Sequence, residues 1–173
     1  AIACVNSGAG LVTVATDRDN ITALHAHLPE AMAFDFGERD RLLDNLRAAD
    51  VVLIGSGIGE SDAASQVLDL VLTNIRPDQN LVVDGSALNL LAKKNKEDLP
   101  ECHLILTPHQ KEWERLSGLA ISEQTVSNTQ KALADFPAET ILVAKSHRTA
   151  VYQSKEVAHL EVGGPYQATG GMG

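Results

Sequence analysis

Gly164-Pro165-Tyr166-Gln167-Ala168-Thr169-Gly170-Gly171-Met172-Gly173 has the strongest chemical character of any segment in the 173-residue chain. Glycines following Thr169 let several backbone N–H groups converge on one point, a nest suited to an oxyanion or a phosphoryl group in transfer. No Lys follows them, so this is not a G-x-x-x-x-G-K-[ST] phosphate loop, nor is it a G-x-G-x-x-G dinucleotide loop. A glycine-rich tail is the bland alternative. Four more segments carry unusual residues directly after apolar runs. Gly55-Ser56-Gly57-Ile58-Gly59 brings backbone close to a ligand at a helix start, or merely makes a tight turn. Asp84, after Val82 and Val83, could orient a substrate hydroxyl or a magnesium-bound water, or satisfy N–H groups of its own turn. In Thr107-Pro108-His109-Gln110-Lys111-Glu112 a His and a Glu three apart share one face of a helix start, which suits a ligand or a helix cap in which Glu112 reaches back. Lys145-Ser146-His147-Arg148-Thr149 offers a cation and turn N–H groups to a phosphate or an adenosine ribose, with a solvated basic turn as the alternative.

The elements that must hold these loops alternate. Short aliphatic runs at Leu11–Ala15, Val51–Ile54, Leu81–Val83, Leu104–Leu106 and Ile141–Ala144 read as strands, and their near-continuous apolar character predicts burial on both faces of a parallel sheet. Helical spacing fits Arg18–Ala26, Arg39–Ala48, Asp62–Asn74, Ala87–Lys94 with Ser86 as its cap, Gln110–Leu116 and Glu123–Asp135. Thr149–Gln153 and Glu156–Leu160 read as a late hairpin, giving the sheet an antiparallel edge. Open parallel sheets bind ligands beyond the carboxyl ends of their strands, where these four loops fall.

Fourteen basic and 23 acidic residues give a net charge of −9, which repels a nucleic-acid backbone and an anionic bilayer. No apolar run approaches the roughly 20 residues of a membrane span. Cys4 and Cys102 lie far apart with no ligand spacing around either, and read as two reduced, mostly buried thiols. The chain starts at Ala1, and AIACVNS reads as the back half of a helix entering Gly8-Ala9-Gly10. We therefore expect one domain over residues 1–173, truncated at both ends, and a cytoplasmic location.

Taken in order, the segments resemble the ADP/ATP-dependent NAD(P)H-hydrate dehydratase family of the ribokinase-like superfamily. The matching stretches are SGAGLVTVAT at Ser7–Thr16, the loop Gly55–Gly59, VVDGSALNLL at Val82–Leu91, LTPHxxE at Leu106–Glu112, the turn Lys145–Thr149 and ATGGMG at Ala168–Gly173. The resemblance implies a ribokinase-like α/β three-layer sandwich, mostly parallel, with helices on both faces and an antiparallel edge hairpin. It implies an enzyme that repairs hydrated NADH or NADPH, using ADP as co-substrate with Mg2+ to phosphorylate the added hydroxyl, and then eliminating phosphate to leave AMP.

By position, Gly57, Gly59, Asp84, His109 and Glu112 would serve the hydrated cofactor. Lys145, Ser146, His147, Arg148, Thr149 and Gly173 would line the AMP moiety, and Gly170, Gly171 and Gly173 would form the anion hole. The resemblance also implies an assembly of identical subunits, a tetramer among the options. Ser56 stands where the family has Pro, and Ser146 where it has Gly. The family's general base, an Asp after the GGxG turn, falls beyond Gly173. Two other readings compete: an ATP-dependent vitamin-type kinase of the same superfamily, in which Asn more often stands at the position of His109, and an inactive nucleotide-binding module.

Overall fold

The computed structural model of the chain describes residues 1–146, 149–153 and 156–159. Contacts divide it into two compact units, Ala1–Ala49 and Asp50–Gly173. The first unit runs α1 (Ile2–Asn6), β1 (Thr13–Thr16), α2 (Arg18–His27), β2 (Met32–Asp35) and α3 (Arg39–Ala48), with β1 and β2 pairing in parallel. Asp17 caps α2 by accepting from the Asp19 N–H. Phe34 on β2 is buried, and Arg41 of α3 lies over its ring at 4.9 Å. The sequence reading lacks β2. Four residues with an alanine at their centre, flanked by Pro29 and Gly37, carry too little β-branched character to stand out.

Among the described residues, the second unit holds a six-stranded sheet whose spatial order is its chain order: β3 (Val51–Ile54), β4 (Asn80–Val83), β5 (His103–Leu106), β6 (Ile141–Ala144), β7 (Ala150–Gln153) and β8 (Glu156–His159). Pairing is parallel from β3 to β6 and antiparallel from β6 to β8, as the alternation and the late hairpin predict. Between strands run α4 (Asp62–Asn74), α5 (Ser86–Leu91), α6 (Gln110–Ser117) and α7 (Val126–Leu133). Ser61 caps α4 through the Ala64 N–H, and Ala64, Leu68 and Val71 form its buried stripe at helical spacing.

Two expectations change at helix ends, and one of the two cysteines is exposed rather than buried. Ser86 is not a cap: Gly85 holds that position at φ 53°, without a side-chain cap. The helix expected over Glu123–Asp135 is broken into a 3₁₀ turn, Ile121–Glu123, and α7, because Thr125 accepts from the Asn128 N–H and starts a new helix there. Cys102 is buried, which pushes its thiol pKa up, with Glu101 adding to the effect; Cys4, by contrast, is exposed.

The two faces of the sheet are buried to different degrees. Leu81, Val83, Leu104, Leu106 and Leu142 share one face by register and are fully buried. On the other face Val51 and Leu53 are 57% and 55% exposed, and Val82, Ile105 and Val143 are only half-buried. No described helix is long and apolar enough to cross a membrane.

Candidate functional site

Ile54, Val83 and Leu106 are level across β3, β4 and β5, so the next residues, Gly55, Asp84 and Thr107, form a row at the carboxyl edge. Lys145 follows β6 and is level with His109, in a parallel bridge where its N–H donates to the Pro108 carbonyl at 2.7 Å. That bond fixes where the lysine side chain begins. Its Nζ donates to Asp84 Oδ1 at 2.7 Å, and the Thr107 hydroxyl donates to the same oxygen at 2.7 Å. Burial acts to raise the Asp84 pKa. The hydrogen bonds from Lys145 and Thr107 outweigh it and hold the carboxyl below its usual range.

The glycines of the first loop divide into two kinds. Gly55 has φ 124°, and a Cβ there would stand 1.6 Å from the Asp84 carbonyl oxygen, so the tight-geometry reading holds for this position. Gly57 and Gly59, at φ 80° and 74°, have nothing within 4 Å of where a Cβ would be, leaving their backbone open to a ligand. Glu60, just beyond, accepts from Asn89 at 2.8 Å and from Lys93 at 3.4 Å, and Arg115 donates to Asn89 at 2.6 Å. This tie from the loop to α5 and α6 is absent from the sequence reading, because its members are nearly thirty residues apart.

His109 and Glu112 form a complete capping box. The His109 Nδ1 accepts from the N–H groups of Lys111 and Glu112, and a Glu112 oxygen accepts from the His109 N–H at 2.8 Å. The capping alternative therefore describes what both side chains do in the structure. The His109 side chain is about half exposed, and its Nε2 lies 3.4 Å from Oε1 of the buried Glu112. Ser146 is exposed and Thr149 half-buried. His147, Arg148, Gly170, Gly171 and Gly173 lie outside the described residues. Among the described residues no three His, Cys, Asp or Glu side chains gather as a metal-binding group.

The sequence model of the NAD(P)H-hydrate dehydratase family matches residues 1–173. The chain belongs to that family. It is 80% identical over 173 residues to the ADP-dependent (S)-NAD(P)H-hydrate dehydratase of Streptococcus thermophilus, covering all of this chain and 62% of that relative. A solved ribokinase-like superfamily protein of Enterococcus faecalis is 42% identical, with a TM-score of 0.90 over 98% of this chain and 59% of that one. The ADP/ATP-dependent NAD(P)H-hydrate dehydratase of Bacillus subtilis, co-crystallized with ATP and Mg2+ and soaked with CoA, is 25% identical, with a TM-score of 0.71 over 90% of this chain and 56% of that one. The chain thus spans about three-fifths of the length of these relatives. The NAD(P)H-hydrate dehydratase family membership and the ribokinase-like α/β fold agree with the order of motifs along the sequence.

Proposed function

We propose that the protein containing this chain is an ADP-dependent NAD(P)H-hydrate dehydratase, a lyase that restores hydrated NADH and NADPH. The observation that carries this reading is the family match over all 173 residues, and the polar row at the carboxyl edge of the sheet is consistent with it. The added ring hydroxyl attacks the β-phosphoryl group of ADP, AMP leaves, and the phosphorylated carbon then loses phosphate as an adjacent proton departs and the ring double bond returns. Such a transfer depends on positioning and on stabilising charge.

In this reading Gly57, Gly59, Asp84, His109 and Glu112 face the hydrated cofactor, residues 145–149 and Gly173 face the AMP moiety, and Gly170, Gly171 and Gly173 receive the transferred group. Mg2+ enters with the nucleotide, whose phosphates supply most of its ligands. ADP rather than ATP is favoured by the name of the S. thermophilus relative. The net charge of −9 argues against a nucleic-acid partner, and a cytoplasmic homo-oligomer follows from the resemblance alone.

The test is the full-length protein with ADP, Mg2+ and hydrated NADH. Dihydronicotinamide absorbance should return, with one AMP and one phosphate per NADH restored. Absence of any nucleotide-dependent recovery would overturn the assignment. Recovery of a stable phosphorylated product instead would favour the kinase reading.

A further inference from the structure

Asp84 uses its two oxygens unequally. Oδ1 takes both strong donors, from the Lys145 ammonium and the Thr107 hydroxyl, each at 2.7 Å. Those donors come from the β5 and β6 side of β4. Oδ2 lies on the β3 side, where the Ser56 hydroxyl donates to it at a long 3.5 Å; the carboxylate also takes a backbone hydrogen bond from Gly85. A carboxylate has about four lone-pair sites, so Oδ2 keeps acceptor capacity on the side of the loop that carries Gly57 and Gly59. Gly55 lets this happen. Its lack of a side chain allows β3 to close onto the Asp84 backbone, and any Cβ would meet the Asp84 carbonyl.

We infer that Lys145 and Thr107 are positioning residues that hold one oxygen of Asp84 and turn the other toward the Gly55–Gly59 loop, where it accepts a hydrogen bond from the hydroxyl of the hydrated cofactor. The inference rests on the functional reading above and adds to it. Lys145 belongs to a turn assigned to the AMP side, yet its side chain is committed to Asp84 while its N–H is committed to Pro108. The lysine couples the two halves of the site through a carboxylate on the substrate side.

The experiment uses full-length protein carrying Lys145→Met, Lys145→Arg, Thr107→Val, Asp84→Asn or the Lys145→Met/Asp84→Asn pair. Steady-state kinetics on hydrated NADH and calorimetric titration with ADP are measured for each. Lys145→Met should lower kcat/KM for hydrated NADH at least tenfold while ADP affinity stays within twofold. Lys145→Arg should recover most of that loss, and Thr107→Val should cost about threefold. The paired variant should be no worse than Asp84→Asn, because the lysine acts through that carboxylate. Tenfold weaker ADP binding in Lys145→Met but not in Asp84→Asn, or losses that multiply in the pair, would overturn the inference. A wild-type protein without turnover would sink the functional reading alone. ADP titration would still decide for or against the commitment of Lys145 to Asp84. If Lys145→Met does not fold, Thr107→Val with Lys145→Arg carries the same comparison.

Discussion

The two polar clusters at the carboxyl edge of the sheet are built in opposite ways. His109 and Glu112 satisfy each other and their own helix start within four residues, so their geometry comes from one turn of chain. Asp84 instead takes its two short side-chain donors from residues 23 and 61 positions away, and that geometry exists only when β4, β5 and β6 are paired. A local cluster stabilises the element it sits on. One assembled across strands adds little to any single element, and its geometry depends on the register of the sheet. Substitutions should therefore separate stability from function along this line.

Gly55→Ala should have the largest effect, because it forces a Cβ into the Asp84 carbonyl at a backbone φ of 124°. A loss of about 3 kcal/mol or more in urea unfolding is expected. A loss under about 1 kcal/mol would mean that the ends of β3 and β4 can part freely, and that Asp84 is not held by strand pairing. Next comes the capping box. His109→Ala should cost about 1 kcal/mol of stability, within the usual range for losing a cap. Glu112→Ala should cost somewhat more, since Glu112 is buried. A raised KM for hydrated NADH with unchanged Tm in His109→Ala would break the comparison by making this cluster a substrate contact first.

Smallest in stability terms is Asp84→Asn, whose signature is its pH dependence. The folded pKa of Asp84 is lowered because the hydrogen bonds from Lys145 and Thr107 outweigh burial. Its ionised form therefore contributes stability above about pH 4, and that contribution fades as pH falls through the lowered folded value. The difference in stability between wild type and Asp84→Asn should be greatest near neutrality and shrink in acid. A constant difference from pH 7 to pH 3 would remove the ion pair from the account.

Legibility in the sequence follows the same division. Val51–Ile54, Ile141–Ala144, Arg39–Ala48 and Asp62–Asn74 occupy the spans that periodicity predicts, because apolar spacing and adjacent caps are local signals. The cap role of Glu112 was readable as an alternative for the same reason. β2 is not legible, with an alanine at its centre and weak strand chemistry, and neither is the break before α7, because the Thr125 cap sits inside a run with continuous helical spacing. Lys145 and Asp84 each stand out in the sequence, but nothing in a linear sequence joins residues 61 apart. Their pairing, the role of Thr107 and the tie from Glu60 to Asn89 and Arg115 emerge only once strand register is known.

A sheet whose neighbours in space are neighbours along the chain can be laid down in the order of synthesis. Each of β4 to β8 pairs with the strand made immediately before it, so none of these described strands waits for a partner made later in the chain. The slowest demand falls on β6, which is separated from β5 by α6 and α7 and brings Lys145 with it. Until β6 docks, Asp84 has Thr107 but not its cation. Completion of the polar row thus marks the late stage of assembly at which all four parallel strands are in register.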